Sequence, residues 1–595
     1  MKKNSESFLR NNFAFWIAII IISIVMTIYI NKKEGFHEDE IFSYGSSNCQ
    51  YGNMFQTYGD SDAEDYVVGK YIISNNIFKT IKNVIYYNIN KKEFQEKIDE
   101  TYIDYSPKWK TSEEAKEYVT VQKDNIFNYT RIYYNQAKDV HPPLFYYLVH
   151  TVSIFWINKF SKYIIFCINL LFFILTCYII KKIFDTLEKK ELILPTIILY
   201  GFSMGAISTV IFQRMYMMLT FFIILLLYLN LVFYKNKCNI SKKLMVEFFI
   251  TILMGFLTQY HFCIYAVSIA FVMCCILLSK KEYKKTLKYV MQYIISALVG
   301  IILFPYSINH IFFSYRGFGA TSSTKTFIIK LKEFFSLLSY SFSLPKFILS
   351  SILLIILINA IYSIISIIKK MNIKMISENS KKFENLELNK FNFSNIIIAI
   401  PSIIFFILIV KTSPDMQYEY EIRYIMPILP IFSIVLITQI YSIIIRITQN
   451  SFDKKIVKVM LNSIIVSFTI ILSIYGISSS NPKYLFKGYN KYLEIAEQYK
   501  DFKFIFVGET VFNKIQNIEE FMKYKESLII NTEQLEILKN NDGLKNESEV
   551  IISIKKYLNA DETFDKIYNS IGGKSYEVLL DDNEDVACKI YKVNI

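Results

Sequence analysis

Residues 35–43 run Gly35-Phe36-His37-Glu38-Asp39-Glu40-Ile41-Phe42-Ser43, directly after an apolar stretch, 13–31, long enough to cross a bilayer. Three consecutive carboxylates and a histidine therefore stand at a membrane face. Charge is costly there unless water, a partner group or a substrate meets it. A carboxylate in that setting can hold a raised pKa and accept a proton from a hydroxyl. The plainer reading is that acidic residues only mark where a hydrophobic helix leaves lipid. The two readings part on whether the rest of the chain builds a site around the acids.

Arginine is the informative residue type, with six arginines against sixty lysines among the 66 basic residues. With the N-terminus placed inside by Lys2, Lys3 and Arg10, the residues Arg131, Arg214, Arg316 and Arg423 fall on the outer side. Glu38, Asp39 and Glu40 share that side, where the positive-inside tendency would not put arginine. A guanidinium fork binds phosphate and keeps its charge when desolvated. The set predicts a site for a phosphate-bearing ligand. The alternative for each arginine is a nearby carboxylate or a lipid headgroup.

A second block is Asp139-Val140-His141-Pro142-Pro143-Leu144-Phe145-Tyr146-Tyr147. Its prolines suit the first turn of a helix, which puts Asp139 and His141 at the N-terminus of that helix. His141 reads as a ligand, a proton shuttle or a cap. Gln213-Arg214-Met215-Tyr216 lies between two apolar runs, and Thr258-Gln259-Tyr260-His261 ends another. Tyr418-Glu419-Tyr420-Glu421-Ile422-Arg423-Tyr424 precedes Met426-Pro427-Ile428-Leu429-Pro430. Each could be an interfacial aromatic belt. A belt does not explain why acid, base and arginine gather on one face while the inner loops carry mostly lysine and asparagine.

The elements that must position these residues are membrane helices. In 595 residues, 53% are hydrophobic, and long apolar runs recur to about residue 478. That excludes an ordinary soluble enzyme. The net charge of +14 comes from lysines between apolar runs. Such a pattern suits cytoplasmic loops and anionic lipid headgroups, not nucleic acid. The first apolar run is too long for a signal-peptide core and lacks a cleavage site, so it reads as a retained helix. Spans are expected over 13–31, 163–180, 191–211, 215–234, 244–260, 262–279, 286–306, 345–368, 394–411, 425–447 and 459–478, about eleven transmembrane helices. Lysine-rich loops at 235–243, 280–288, 369–390 and 448–458 then share the inner side. Residues 143–157 are short for a span and are expected to lodge at the outer interface. The first outer loop, 32–140, holds amphipathic stretches near 76–90 and 111–120, expected as helices along the membrane surface.

The tail, 479–595, is polar, with β-rich runs at 502–507, 549–554 and 575–580 between helical patterns at 484–499, 511–524 and 559–570. It predicts a small α/β domain, placed outside by the odd span count. Gly508 after the first run is a lone glycine, far from a nucleotide-binding fingerprint. The eight cysteines show no zinc or CxxC spacing, and most lie in apolar runs.

The arrangement resembles the GT-C membrane glycosyltransferases, specifically the bacterial family 39-like proteins related to protein mannosyltransferases and aminoarabinose lipid A transferases. The resemblance rests on Asp39-Glu40 after the first helix, the long first outer loop, His141-Pro142-Pro143-Leu144-Phe145-Tyr146-Tyr147, Arg214-Met215-Tyr216 and the Arg423-Tyr424 block. It covers residues 1–478 in architecture. The histidine–diproline–aromatic block is its most specific part. A loop of roughly a hundred residues departs from simpler members and leaves the acceptor open.

The resemblance implies a GT-C-like fold of 1–478 and an active site on the extracytoplasmic face of the cell membrane. It implies transfer of a sugar from a polyprenyl-phosphate donor to an acceptor hydroxyl on a glycan, lipid or protein, with inversion. By the family motif Asp39 is the general base, with Glu40 or Glu38 orienting it or binding substrate. A lipid-phosphate leaving group needs charge stabilisation more than a proton. Arg214 and Arg423 are the first candidates for that, with Arg131, Arg316 and His261 behind them. Asp139, His141, Tyr146, Tyr216 and Tyr424 complete the expected substrate-binding set. The residues specify no cofactor; a carboxylate cluster can take a divalent metal, but a monophosphate leaving group does not demand one and the ligand set is not diagnostic. The alternative reading is a transporter or flippase of a lipid-linked sugar. Transporters place ionisable groups near the middle of their spans, and here those middles are nearly free of charge.

Overall fold

The computed structural model describes residues 2–49, 63, 67–74, 76–101, 106–313, 325–351, 354, 393–414, 418–448, 454–582 and 587–595. Arg316 and most of the expected 345–368 span lie outside the described residues.

Helix α1, Lys2–Asn31, buries Phe15, Ile19, Ile22, Met26 and Ile30 and exposes Trp16, Ile20, Ile24 and Ile28. The buried set advances by threes and fours, so one face packs on other helices. The exposed face is as apolar as the buried one, as a lipid-facing helix requires. Among the described residues eight helices are long and apolar enough to cross a membrane. They include Tyr163–Thr186, Tyr216–Lys235, His261–Ser279, Tyr283–Leu303 and Ser394–Thr412.

The single span expected over 191–211 is instead two helices, Lys190–Gly201 and Met204–Ile211, meeting at 63°. Ser203 takes extended backbone, and its Oγ accepts a hydrogen bond from the Ala206 amide at 3.1 Å, which starts the second helix afresh. Every residue of Met204–Ile211 is buried. Counting that pair as one crossing gives nine spans among the described residues, against the expected eleven. The expected 244–260 span is the 17-residue helix Lys242–Thr258. The 143–157 region is Leu144–Ser153 followed by a short turn, Ile154–Trp156. At about 20 Å it is shorter than a hydrocarbon core of about 30 Å.

Two amphipathic stretches of the first loop are helical but pack differently. Ile77–Ile89 leaves Phe78, Ile81, Ile85 and Ile89 exposed on one face. Ser112–Val119 buries Ala115, Tyr118 and Val119, and it packs against helix α2, Glu38–Asn48. A Cβ at Gly45 of α2 would stand 2.3 Å from the Tyr118 ring. Gly45→Ala must move that ring, at a cost of about 1–3 kcal/mol. A lower melting temperature in detergent is the expected result; an unchanged one would show that the ring yields freely.

Five strands of the tail and one from the first loop form a six-stranded sheet of order β1-β3-β2-β4-β6-β5. The strands are β1 Lys110–Thr111, β2 Lys503–Val507, β3 Glu526–Ile530, β4 Glu549–Lys555, β5 Ser575–Asp581 and β6 Cys588–Asn594. β2 is parallel to both β3 and β4, and the remaining pairs are antiparallel. β2 is buried along its whole length, as a central strand covered on both faces should be. Ile505 and Val507 pack with Phe564 and Ile567 of the helix Ala560–Ile571. Phe504 and Phe506 join the core that continues into the membrane helices. β1 comes from the first loop, with Lys110 opposite Ser527, and Trp109 Nε1 donates to Asn541 Oδ1 at 2.8 Å. The sheet therefore ties residues 106–119 to the tail.

Candidate functional site

The three carboxylates form the first turn of α2, where negative charge complements the helix dipole. His37 caps this helix: its Nδ1 accepts the Asp39 amide at 3.1 Å, and Glu40 Oε2 accepts the His37 amide at 2.7 Å. Because Nδ1 accepts, the ring proton sits on Nε2, which faces Glu38 Oε1 at 3.3 Å. Burial pulls the imidazole down to about 3, so His37 is neutral at physiological pH. Phe212 and Tyr484 stand edge-on to its ring, each at 5.9 Å.

Successive residues on a helix point about 100° apart, and the three acids meet three different environments. Glu40 is fully buried. It pairs with Lys33 Nζ at 2.9 Å and accepts the Gln213 amide at 2.8 Å as well as the His37 amide. These donors favour its ionised form against the burial that pushes its pKa up. Lys33 also donates to the Tyr484 carbonyl at 2.5 Å. Glu40 thereby ties α2, the 212–215 turn and, through Lys33, the start of the tail together.

Asp39 faces the other way, with its side chain 15% exposed. Arg423 Nη1 donates to Asp39 Oδ2. Arg214 Nη1 donates to the Asp39 carbonyl at 3.0 Å, to Ser43 Oγ at 3.0 Å and to the Tyr146 hydroxyl at 3.2 Å. Arg214 Nη2 lies 3.2 Å from His141 Nε2. A guanidinium only donates, so that nitrogen accepts, and His141 Nδ1–H donates to Asp139 Oδ2 at 2.7 Å. The diproline block thus orients Arg214 through a neutral histidine. Both arginines are buried, at 3% and 4% exposure.

Glu38 is the third acid. Burial first, and then the neighbouring Asp39 charge, push its carboxyl from 4.5 up to about 7. In the tail burial does the same to Glu519, up to about 8, and to Glu520, up to about 7. A raised carboxyl pKa means that the folded state holds a proton the unfolded state has lost. Stability therefore falls as pH rises from about 4.5 through 7 and levels off above. Glu38→Gln is expected to flatten its share of this slope and to raise stability at pH 8 by about 1–2 kcal/mol. Melting temperature against pH in detergent checks this; parallel curves for the two proteins would contradict it.

The remaining expected residues fall around this centre or apart from it. Tyr216 stacks near Phe212, 5.7 Å between rings, and Phe212 stacks on Tyr484 at 3.9 Å. The Arg423 guanidinium lies 5.3 Å from the Tyr424 ring, and His261 stands edge-on to Tyr424 at 5.6 Å. Arg131 is placed with the first loop, where its Nη2 donates to the Gly69 carbonyl at 3.4 Å. Arg316 falls outside the described residues.

The structure adds Lys33, Ser43, Gln213 and Tyr484 to the site. A lysine among sixty carries no signal in sequence. Tyr484 was hidden because it belongs to the start of the tail. There the Leu485 carbonyl accepts the Glu34 amide at 2.9 Å, and Glu34 Oε2 accepts the Gly488 amide at 2.6 Å. Among the described residues no group of three His, Cys, Asp or Glu is arranged to hold a metal ion.

No family model matches the chain, and no curated protein matches it in sequence. Solved structures similar to it include two of one protein. One is ArnT from Cupriavidus metallidurans bound to undecaprenyl phosphate, at 9% identity and a TM-score of 0.44, covering 97% of this chain and 98% of that one. Another is ArnT from the same organism in the apo state, at 10% identity and a TM-score of 0.40, covering 76% of this chain and 87% of that one.

Proposed function

We propose that this protein is a membrane glycosyltransferase of the GT-C type. It moves a sugar from a polyprenyl-phosphate donor to an acceptor hydroxyl on the extracytoplasmic face of the membrane. The observation that carries the reading is the convergence of two buried guanidinium groups on one partly exposed acidic residue, Asp39, with Arg423 on its carboxylate and Arg214 on its main-chain carbonyl. In one displacement Asp39 takes the acceptor's hydroxyl proton, and the acceptor oxygen bonds to the anomeric carbon. The bond from that carbon to the phosphate oxygen breaks, and its electron pair leaves with the lipid phosphate. Attack opposite the leaving group inverts the anomeric centre. Buried guanidiniums stabilise the charge that develops on the phosphate far better than water would. Arg423 meets the phosphate, and Arg214 holds the Asp39 main chain in place.

Residues 1–478 make the transferase unit, and residues 479–595 stand over the site as a cap that shapes the acceptor side. Phe42 of α2 packs edge-on to Phe512 at 5.8 Å, and Gln516 Nε2 donates to the Phe36 carbonyl at 3.4 Å, which supports that placement. The partners are the lipid-linked donor, a glycan, lipid or protein acceptor, and the surrounding membrane lipids. The test is a profile of lipid-linked sugars in cells lacking the protein. One polyprenyl-phosphate sugar is expected to accumulate, and its identity names the donor. An unchanged pool would overturn the reading.

A further inference from the structure

A base must be free to accept a proton, yet the Asp39 carboxylate is ion-paired with Arg423. A guanidinium partner favours the charged form of a carboxylate and so weakens it as a base. The two arginines differ in how they are held. Arg214 is fixed by four groups of the chain: the Asp39 carbonyl, Ser43, Tyr146 and His141. Arg423 meets Asp39 through that residue's side chain, at the end of a 3-10 turn, Tyr418–Tyr424. The pair is open to approach on the carboxylate side, where Asp39 is 15% exposed, and closed on the arginine side, at 5%. An incoming anion therefore reaches the pair beside Asp39 and competes with it for Arg423.

Resting on the glycosyltransferase reading, we propose that the Asp39–Arg423 ion pair is a latch on the base, opened by the donor's phosphate. The donor's phosphodiester offers Arg423 two non-bridging oxygens to its fork. When the phosphate takes Arg423, Asp39 exchanges that positive neighbour for a negative one, and its proton affinity rises. The acceptor's proton then passes to Asp39 as the sugar is transferred. When the lipid phosphate leaves, Arg423 returns, and Asp39 releases that proton to water. Donor binding therefore precedes activation of the acceptor. Tyr424, against the guanidinium, keeps Arg423 within reach of both anions.

The test uses the full chain in nanodiscs at pH 6, with dicyclohexylcarbodiimide, which modifies protonated carboxyls in apolar surroundings. Modification at Asp39 is read by peptide mass. Sugar-free undecaprenyl phosphate is expected to raise the rate at Asp39 by about tenfold or more, the ratio for a rise of one pKa unit. Undecaprenol, which lacks the phosphate, leaves the rate at its resting level. Arg423→Ala shows the raised rate without lipid phosphate. Retention of radiolabelled undecaprenyl phosphate by the wild-type protein is measured in parallel. Binding of the lipid with no rise at Asp39 overturns the latch and leaves the glycosyltransferase reading standing. A wild-type protein that does not bind the lipid overturns the glycosyltransferase reading itself.

Discussion

Turnover of the Asp39→Asn protein is expected to fall by about a hundred- to ten-thousandfold, the range that a positioned general base contributes. Asparagine keeps the size of the side chain. The main-chain contacts of residue 39, its amide to His37 and its carbonyl to Arg214, do not involve the carboxylate. The fold should therefore survive, with a melting temperature close to wild type. Binding of the lipid-phosphate donor should persist and tighten, since Arg423 no longer has the Asp39 anion as a competing partner. Sugar transfer from a lipid-phosphate donor, measured in single turnover, separates the two effects. Unchanged turnover would remove Asp39 from the role of base. Lost donor binding with retained turnover would mean that the carboxylate holds the donor instead.

Lys33→Met should act on stability, not on chemistry. It strands the Glu40 carboxylate, which is fully buried and whose other donors, the Gln213 and His37 amides, are neutral. Removing one member of a buried pair costs about 3–5 kcal/mol, because the remaining charge has no counter-ion. It also deprives the Tyr484 carbonyl of its lysine donor. The double variant Lys33→Met with Glu40→Gln should recover much of that loss, since no unpaired charge is left. Melting curves of the single and double variants give the comparison. A single variant as stable as wild type would show that water or another cation reaches Glu40.

Much of the architecture was legible in sequence because lipid imposes a simple rule. Apolar runs of about twenty residues become helices, and those at 163–186, 216–235, 261–279, 283–303 and 394–412 stand close to where they were expected. The break at Phe202–Ser203 was not legible. Both sides of it are apolar, and the signal was one serine with extended backbone serving as a helix cap. In the tail the runs that became β2, β4 and β5 were visible as β-branched and aromatic segments. β1 has two residues and no pattern to read.

Of the site, the residue types were legible and the division of labour was not. Three acids in a row look equivalent in a string. On a helix one turns to Lys33, one to Arg423 and one to the histidine before them. Which acid takes which direction depends on where α2 begins. That start was marked by a histidine cap, which is outside the usual cap residues.

The pairing of β1 with β3 bears on how the protein is made. Trp109 and its partner Asn541 are separated by 432 positions along the chain. At about 5–20 residues per second, the segment bearing β1 waits roughly 20 to 90 seconds for its strand partner to emerge. During that interval the unpaired edge and the indole of Trp109 are open to wrong partners. A segment made late therefore completes one made early. A ribosome that stops before residue 526 leaves an unsealed first loop, a ready mark for quality-control proteases to find.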